Sequence, residues 1–379
     1  MKIFQKTAAI LLGAVMIGSS LCGCTQATVF GSYPKDYSWS YKDSISTMSM
    51  GEYIYYNYNS FYQASDKVEN NSGNFLSQKV KDDDGVEMTA EQFIKNSTDS
   101  SCRNYLYVNK KFNDMKLSLT QDEITNYKAN ADSQWSSYKN VFEAYGVSKD
   151  SFVHAAYENA AKYEAIFKKL YQKGGEKEVS MDELKKYYED NYVNYSYISV
   201  ALYDTETNSE TSETSTKKKS DDEVKKIKAN MDKYAKAIND GTSYEDEIKV
   251  YMEDYKVESD PTVSATEILE NSSLGDDLKK AIEELKEGEA KYIVVGESGD
   301  TPSAYLIYKG KIKDESSKLE SDSSLEYSTL INMKSEEFRK YMDTEAAKHK
   351  CEINTEGIEK YPAEMFIVEE QPTEDSTEG

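Results

Sequence analysis

Histidine and cysteine are scarce in this sequence, and the few that occur are far apart. The 379 residues include 2 histidines and 4 cysteines, which are His154, His349, Cys22, Cys24, Cys102 and Cys351. Residues spaced this widely do not form a metal-ligand set, and neither histidine adjoins a nucleophile-elbow motif. The sequence therefore predicts no metal site and no histidine-based catalytic triad.

Positive charge and glycine are also in short supply. The chain has 46 basic against 69 acidic residues, a formal net charge of −23. Such a surface repels nucleic acid and anionic lipid headgroups, so neither is predicted as a partner. The 18 glycines and the long helical patterns do not match the repeated apolar strands and Gly-rich turns of a two-lobed solute-binding lipoprotein. A solute-binding or surface scaffold role is therefore only an alternative.

The N-terminus is the one part of the sequence with a long apolar run. Basic residues precede apolar residues from Thr7 to Ser20, a pattern typical of a secretory signal peptide. The next residues, "LCGC" at Leu21 to Cys24, match the bacterial lipobox, which implies cleavage before Cys24 and a diacylglycerol thioether on its sulfur. We therefore predict a signal peptide over residues 1–23, a tether over 24–40, and an extracytoplasmic body that is lipid-anchored to the bacterial cell membrane.

Helix starts are marked by a recurring capping-box pattern, in which a Ser or Thr is followed three residues later by Glu or Gln. The pattern occurs at Ser49, Thr89, Thr120, Ser180 and Ser220. Apolar residues at helical spacing follow these starts, and a further helical pattern runs from Ser148 to about Lys173. Together they predict a helical lobe over residues 41–190. The segment 315–368, with a helix from about Leu325 to His349, belongs to the same lobe by character.

The pattern changes after residue 190. Residues 193–203 alternate and are rich in β-formers, whereas residues 204–220 contain no apolar side chain and are predicted to be a disordered loop. Three helices and two strands follow, at Glu223–Asn239, Tyr244 to about Glu253, Gly275 to about Lys286, Tyr292–Val295 and Ala304–Ile312. This order predicts a small α+β domain over residues 191–314, inserted between two parts of the helical lobe. The last residues, 369–379, are predicted to be a disordered tail.

Four segments carry a resemblance to a known family: the lipobox, "MSMGEYIYYNYNSFY", "VSMDELKKYYEDNYVNYSYISV" and "LKKAIEELKEGEAKYIVV". With the order of elements, they resemble the PrsA and SurA group of extracytoplasmic foldases. The resemblance implies a mainly helical chaperone lobe, built from N- and C-terminal segments, that carries a small parvulin-type peptidyl-prolyl isomerase domain. It also implies unfolded or emerging secreted polypeptides as partners and a reaction that needs no cofactor.

The sequence departs from this family at both histidines of the isomerase site. The family's first parvulin strand usually reads Ala, Ser, His, Ile, Leu, Val, and Tyr197 stands at its histidine. In the last strand, "SAYLIYK" places Tyr305 or Leu306 at the second histidine, depending on a one-residue shift. Asp260 is the candidate for the family's Cys or Asp position. We therefore predict a binding or spacing domain whose isomerase chemistry is lost; the alternative is an active prolyl isomerase with Tyr197 and Tyr305 in its pocket.

Two questions stay open at the level of sequence. The 32 tyrosines, against 11 phenylalanines and 2 tryptophans, either replace Phe in thin helix interfaces or form an aromatic surface for extended polypeptides. Cys102 and Cys351 either form one disulfide, as exported proteins often do, or stay free thiols buried as small hydrophobic residues. The oligomeric state is also left undecided.

Overall fold

The computed structural model describes residues 33–68, 75–207 and 214–367 of the chain. The chain is α+β, as predicted, and it divides into two compact units. We call Ser180–Met333 the α+β unit, and the described residues of Lys6–Val179 and Lys334–Gly379 the helical unit. Over the ranges described, no helix is both long enough and apolar enough to cross a bilayer.

The helical unit consists of long helices and short strands. Its strands are β1 (Trp39–Lys42), β2 (Thr47–Ser49), β3 (Lys79–Lys81), β4 (Glu87–Thr89) and β11 (Glu352–Ile353). Its helices are α1 (Met50–Ser65), α2 (Ala90–Asp114), α3 (Gln121–Ala144), α4 (Lys149–Phe152), α5 (Asn159–Tyr171) and α12 (Thr355–Ile358). A π-helical turn, Val153–Glu158, joins α4 to α5, and helix α11 (Ser323–Lys348) contributes residues to both units. Strands β11, β1 and β2 form one antiparallel sheet in that order, and β3 pairs with β4.

The helices begin where the capping boxes predicted. At four of the starts the Ser or Thr side chain accepts a backbone N–H and the Glu side chain accepts the N-cap N–H in return, namely at Ser49, Thr120, Ser180 and Ser220. At Thr89 the side chain accepts the N–H of Gln92. These contacts satisfy N–H groups that the first helical turn leaves without a partner, so each start is determined locally.

Aromatic rings form the core of the helical unit. The buried ring of Phe142 on α3 has its centroid 5.7 Å from that of Tyr55, 5.3 Å from Tyr58 and 5.3 Å from Phe152. The stacked indole of Trp135 lies 6.3 Å away. Tyr55 and Tyr58 are almost fully buried on α1. In this core, tyrosine therefore serves in place of phenylalanine, the first of the two roles that the sequence left open.

Part of the predicted tether belongs to this fold. The tether was predicted over 24–40, but the described residues from 33 onward pack on the helical unit. Tyr33 donates its N–H to the carbonyl of Ala144 at 2.8 Å, and Tyr361 donates its hydroxyl to Asp36 at 3.0 Å. Residues from Tyr33 onward are thus held to the helical unit by specific hydrogen bonds. The predicted signal peptide, Cys24 and the tail 369–379 lie outside the described residues.

The α+β unit contains a four-stranded antiparallel sheet with helices on both faces. Its strands are β5 (Val193–Ala201), β6 (Tyr203–Thr207), β7 (Thr214–Lys218), β8 (Val263–Glu267), β9 (Ala290–Val295) and β10 (Ser303–Lys309). Its helices are α6 (Met181–Asn191), α7 (Asp221–Asn239), α8 (Tyr244–Tyr255), α9 (Asp276–Glu284) and α10 (Ile312–Ser316). The sheet order is β8-β5-β10-β9, so β8 and β9 are its edges. Helices α7 and α8 cover one face, and α9 packs on the other.

This unit is longer than the predicted domain 191–314, because flanking residues pack within it. The rings of Tyr188 and Tyr192 stack with centroids 4.3 Å apart. The Tyr192 hydroxyl accepts a hydrogen bond from Asn332 at 2.6 Å, and Ser316 donates to Glu189 at 2.7 Å. Helix α6, which falls within the predicted lobe 41–190, therefore belongs to the α+β unit.

The predicted disordered loop 204–220 is wrong over most of its length. Strands β6 and β7 pair in an antiparallel ribbon, with Tyr203 opposite Lys218 and Thr207 opposite Thr214. Both strands are exposed and contain almost no apolar side chain, so the ribbon rests on backbone pairing. A polar composition indicates solvent exposure, but it does not distinguish an exposed β-ribbon from a disordered loop. Residues 208–213 lie outside the described residues.

Candidate functional site

Tyr197 and Tyr305 meet on one face of the four-stranded sheet. They lie on the central strands β5 and β10, where Tyr305 pairs with Ser199 and Ile307 pairs with Tyr197. Side chains alternate along a strand, so this register sets the two tyrosines diagonally across the same face. Their ring centroids are 5.7 Å apart, with the planes inclined at 57°.

Leu306 lies on the other face of the sheet. It is fully buried opposite Ile198, in the core formed with α7 and α8. The sequence allowed either Tyr305 or Leu306 to stand beside Tyr197, and the register brings Tyr305 there. Helix α9 packs on the Tyr305 face through Leu278 and Ile282. Tyr197 and Tyr305 lie against the same cluster and are only partly buried.

Val263 completes this surface, which we call the tyrosine face: Tyr197, Tyr305 and Val263. The buried ring of Tyr195 lies next to it. The Tyr195 ring stacks on Tyr197, with centroids 6.4 Å apart and planes inclined at 13°. Val263 on the edge strand β8 pairs with Tyr197 and is 47% exposed, one of the most exposed large apolar side chains in the described part of the chain. An apolar residue at an open strand edge, next to partly exposed rings, is typical of a surface that receives another chain.

Burial raises the phenol pKa of two tyrosines at this site, Tyr195 and Tyr305. Burial raises the pKa of Tyr195 to about 12, and its hydrogen bond to Glu267 acts in the same direction. Burial also raises the pKa of Tyr305, and the neighbouring Tyr197 adds to the effect. The Tyr305 hydroxyl is therefore protonated at neutral pH and can donate a hydrogen bond to a peptide carbonyl, whereas the Tyr195 hydroxyl already donates to Glu267.

The tyrosine face carries neither of the residues that usually perform side-chain chemistry at neutral pH. The sequence from Ser180 to Met333 has no histidine and no cysteine. Asp260, the candidate for the family's acidic position, accepts the N–H of Thr262 at 2.8 Å and so closes the turn before β8. Across the ranges that the structure describes, no three His, Cys, Asp or Glu side chains are grouped to hold a metal ion. The arrangement is suited to binding a chain through aromatic contact and hydroxyl donors.

Sequence reasoning missed strand β8 and with it Val263. The sequence pattern predicts no element between the helix at Tyr244 to about Glu253 and the helix that begins near Gly275. The segment does alternate, with Val263 and Ala265 on one side and Ser264 and Thr266 on the other. The strand has only five residues and lies at the edge of the sheet, so this alternation is short.

Both histidines lie in the helical unit, each next to a buried carboxylate. His349 approaches Asp43 with 2.7 Å between Nε2 and Oδ2. Burial by itself would raise the pKa of Asp43, but N–H donors from Ser46 and Ile45, together with His349, hold it below its usual value. This histidine therefore has a structural partner and belongs to the packing of the unit.

His154 lies in the π-helical turn, next to the buried carboxylate of Glu52. Its Nδ1 is 3.3 Å from Glu52 Oε1, which also accepts the hydroxyl of Tyr105 at 3.3 Å. The other oxygen accepts the N–H of Ser49 in the first capping box. Glu158 stands on the solvent side, 3.8 Å from Nε2. The hydrogen bond to Glu52 raises the pKa of His154, against the opposing effect of burial.

We expect the stability of the helical unit to depend on this histidine. A raised folded-state pKa means that the pair stabilises the fold fully below the unfolded value of about 6.5, and that this contribution is lost as pH rises through the folded-state pKa. The denaturant midpoint, followed by tryptophan fluorescence, is expected to fall between pH 6 and pH 9. In His154→Gln the fall is expected to be smaller; equal slopes in both proteins would contradict this assignment.

Comparison with known proteins yields two similar structures. Foldase protein PrsA from Streptococcus pneumoniae str. Canada MDR_19A is 16% identical, with a TM-score of 0.35 over 75% of this chain and 98% of that chain. Foldase protein PrsA from Lactococcus lactis is 14% identical, with a TM-score of 0.29 over 86% of this chain and 97% of that chain. No family model and no curated protein matches the sequence.

Proposed function

We propose that this protein is an extracytoplasmic chaperone of the foldase type, which binds extended segments of unfolded secreted polypeptides and has lost prolyl isomerase chemistry. In this proposal the α+β unit is a parvulin-like domain used for binding. The helical unit supplies the stable body that carries it.

The observation that carries the proposal is the tyrosine face. It combines two contacting, partly exposed rings with an exposed valine on an open strand edge. Tyrosine offers a large contact area with only two torsions to immobilise, and it tolerates varied partners because its hydroxyl can meet water or a carbonyl. An unfolded chain presents the matching features, namely exposed apolar side chains and unpaired backbone groups. The lack of histidine and cysteine in this unit supports binding without chemistry.

The first test is a pair of assays on the purified protein. At several-fold excess it is expected to suppress the light scattering of reduced lactalbumin, because aggregation competes with binding. In a chromogenic Xaa-Pro peptide assay the rate is expected to equal the rate in buffer. Scattering that is unchanged at tenfold excess would remove the chaperone proposal.

An active isomerase is the second candidate, and one observation favours it. Tyr197 and Tyr305 stand where the family resemblance places two histidines, and they do so in contact. Isomerisation lowers a torsional barrier of about 18–20 kcal/mol through hydrogen bonds and an apolar pocket, without a nucleophile. A rate above buffer that disappears in Tyr197→Phe would decide for this candidate.

We also propose that the body is anchored through a lipid on Cys24. The support is the "LCGC" sequence, with Cys22 as the alternative lipid site. In a bacterial host the wild-type chain is expected to incorporate labelled fatty acid and to sediment with membranes, and Cys24→Ser is expected to lose both properties. Cys22→Ser is the matched control and is expected to keep them. Labelling that persists in Cys24→Ser would place the lipid elsewhere.

A further inference from the structure

The two cysteines of the protein body occupy one small cluster of the helical unit. Cys102 on α2 is fully buried, together with Tyr41 and Leu106. Cys351, the residue before β11, is half-buried and packs against the same cluster. Both are free thiols in the structure. Residues so far apart in sequence are thus brought to the same place by the fold.

Strand β1 is what brings them together. Its residue Tyr41 pairs with Ile353, two positions after Cys351. The hydroxyl of Tyr41 also donates to Asp99 at 3.0 Å, on the turn of α2 that precedes Cys102. One residue of β1 therefore contacts both the helix that carries the first cysteine and the strand that follows the second.

Arg103 makes a direct contact between the two chain segments. Its Nε donates to Asp99 at 2.8 Å along α2. Its Nη1 lies 3.5 Å from the sulfur of Cys351 and 3.4 Å from the carbonyl of His349. The residue next to Cys102 is thus already hydrogen-bonded to the sulfur of Cys351. Burial raises the pKa of the Cys351 thiol, and the neighbouring Arg103 guanidinium opposes that shift.

We propose that Cys102 and Cys351 form an intrachain disulfide when the protein meets an oxidising environment, and that this bond fastens residues 350–367 to helix α2. The proposal is independent of the polypeptide-binding function, since it concerns the helical unit. It selects the disulfide from the two alternatives that the sequence left open.

The bond would form by thiol–disulfide exchange with an oxidised small-molecule or protein disulfide. The half-exposed Cys351 loses its proton and attacks that disulfide, which releases one thiol and leaves a mixed disulfide on Cys351. Cys102 then loses its proton and attacks the Cys351 sulfur, which releases the second thiol. Two protein thiols are oxidised by two electrons, and one external disulfide is reduced to two thiols. Burial raises the pKa of both cysteines, so the exchange is expected to be slow and the product resistant to reduction.

The segment that follows Cys351 packs into the core of the helical unit. Asn57 donates to the carbonyl of Tyr361 at 2.9 Å. The ring of Phe366 closes the aromatic core, with its centroid 5.5 Å from Tyr58 and 5.0 Å from Tyr145. A disulfide at Cys351 would lower the conformational entropy of the unfolded chain. It would thereby stabilise the folded core that this segment covers.

The test uses the full chain with Cys22→Ser and Cys24→Ser, so that no other thiol is present. After incubation with oxidised glutathione and blocking of free thiols, peptide mass spectrometry is expected to find one linked pair that contains Cys102 and Cys351. The oxidised chain is expected to remain monomeric on a non-reducing gel. Its unfolding midpoint is expected to rise by about 5 °C or more over the reduced chain.

Two further variants distinguish the intrachain disulfide from a glutathione adduct on a single cysteine. With Cys102→Ser added, Cys351 is expected to hold a glutathione adduct, because no second thiol resolves it. With Cys351→Ser added, the buried Cys102 is expected to stay unmodified in the folded protein, and neither variant should show the rise in midpoint. If the chain with both thiols ends as a glutathione adduct at Cys351, or shows no linked peptide after prolonged oxidation, the proposed bond does not form.

Discussion

Replacing Phe142 with alanine is expected to lower the free energy of unfolding of the helical unit by about 3–5 kcal/mol. The side chain is fully buried, and its ring meets Tyr55, Tyr58, Trp135 and Phe152. The loss includes the transfer of the ring from water and the cavity left among rigid neighbours that cannot collapse into it. A cost of this size is a large fraction of the stability of an ordinary domain.

The unfolding of the helical unit can be followed selectively in the full-length protein. Both tryptophans of the chain, Trp39 and Trp135, lie in that unit, so intrinsic fluorescence in a urea titration follows its unfolding. Tyr37→Ala is the matched control: this aromatic side chain is 68% exposed, and its removal is expected to cost less than about 0.5 kcal/mol. Equal midpoints for the Phe142→Ala and Tyr37→Ala proteins would show that the aromatic core does not carry the stability assigned to it.

The double variant Tyr197→Ala and Tyr305→Ala is expected to weaken binding of an unfolded polypeptide by about 2 kcal/mol, roughly 30-fold in Kd. The rings are the main contact area of the tyrosine face, and their removal leaves small side chains beside Val263. The measurement is fluorescence anisotropy with labelled, reduced and carboxymethylated lactalbumin. Circular dichroism of the variant establishes that the α+β unit remains folded.

A second pair of substitutions separates ring contact from hydroxyl chemistry. Tyr197→Phe with Tyr305→Phe keeps both rings and removes both hydroxyls. Binding within about threefold of wild type is expected, since a solvent-accessible hydroxyl contributes little net energy. If the alanine pair binds as tightly as wild type, the tyrosine face is not the binding surface. If the phenylalanine pair loses as much affinity as the alanine pair, the hydroxyl donors carry the interaction.

Local signals in the sequence were the most informative ones. The capping boxes at Ser49, Thr120, Ser180 and Ser220 predicted helix starts that the structure has, because a cap is formed by residues three positions apart. Gly146 lies just beyond the third long helix, with φ of 85°. A left-handed conformation of this kind is readily available to glycine, so this end too is encoded locally.

Pairing between strands and packing between distant segments were much harder to predict from the sequence. Strands β6, β7 and β8 are stabilised by neighbours that are distant in sequence or by exposed backbone contacts, and their own residues carry little apolar alternation. The boundary predicted at residue 190 is also wrong, because helix α6 packs in the α+β unit. Its capping box predicts a helix equally well in either unit, and only the contacts of Tyr188 and Glu189 decide where it packs.

For this protein, the sequence by itself determined the helical starts, the α+β class and the absence of histidine and cysteine from the tyrosine-bearing unit. Only the tertiary structure decided that Tyr305, and not Leu306, meets Tyr197, and that Cys102 shares a cluster with Cys351. The physical reason is strand register and strand pairing: a shift of one residue turns every side chain to the opposite face, and no local pattern reports which distant strand lies alongside.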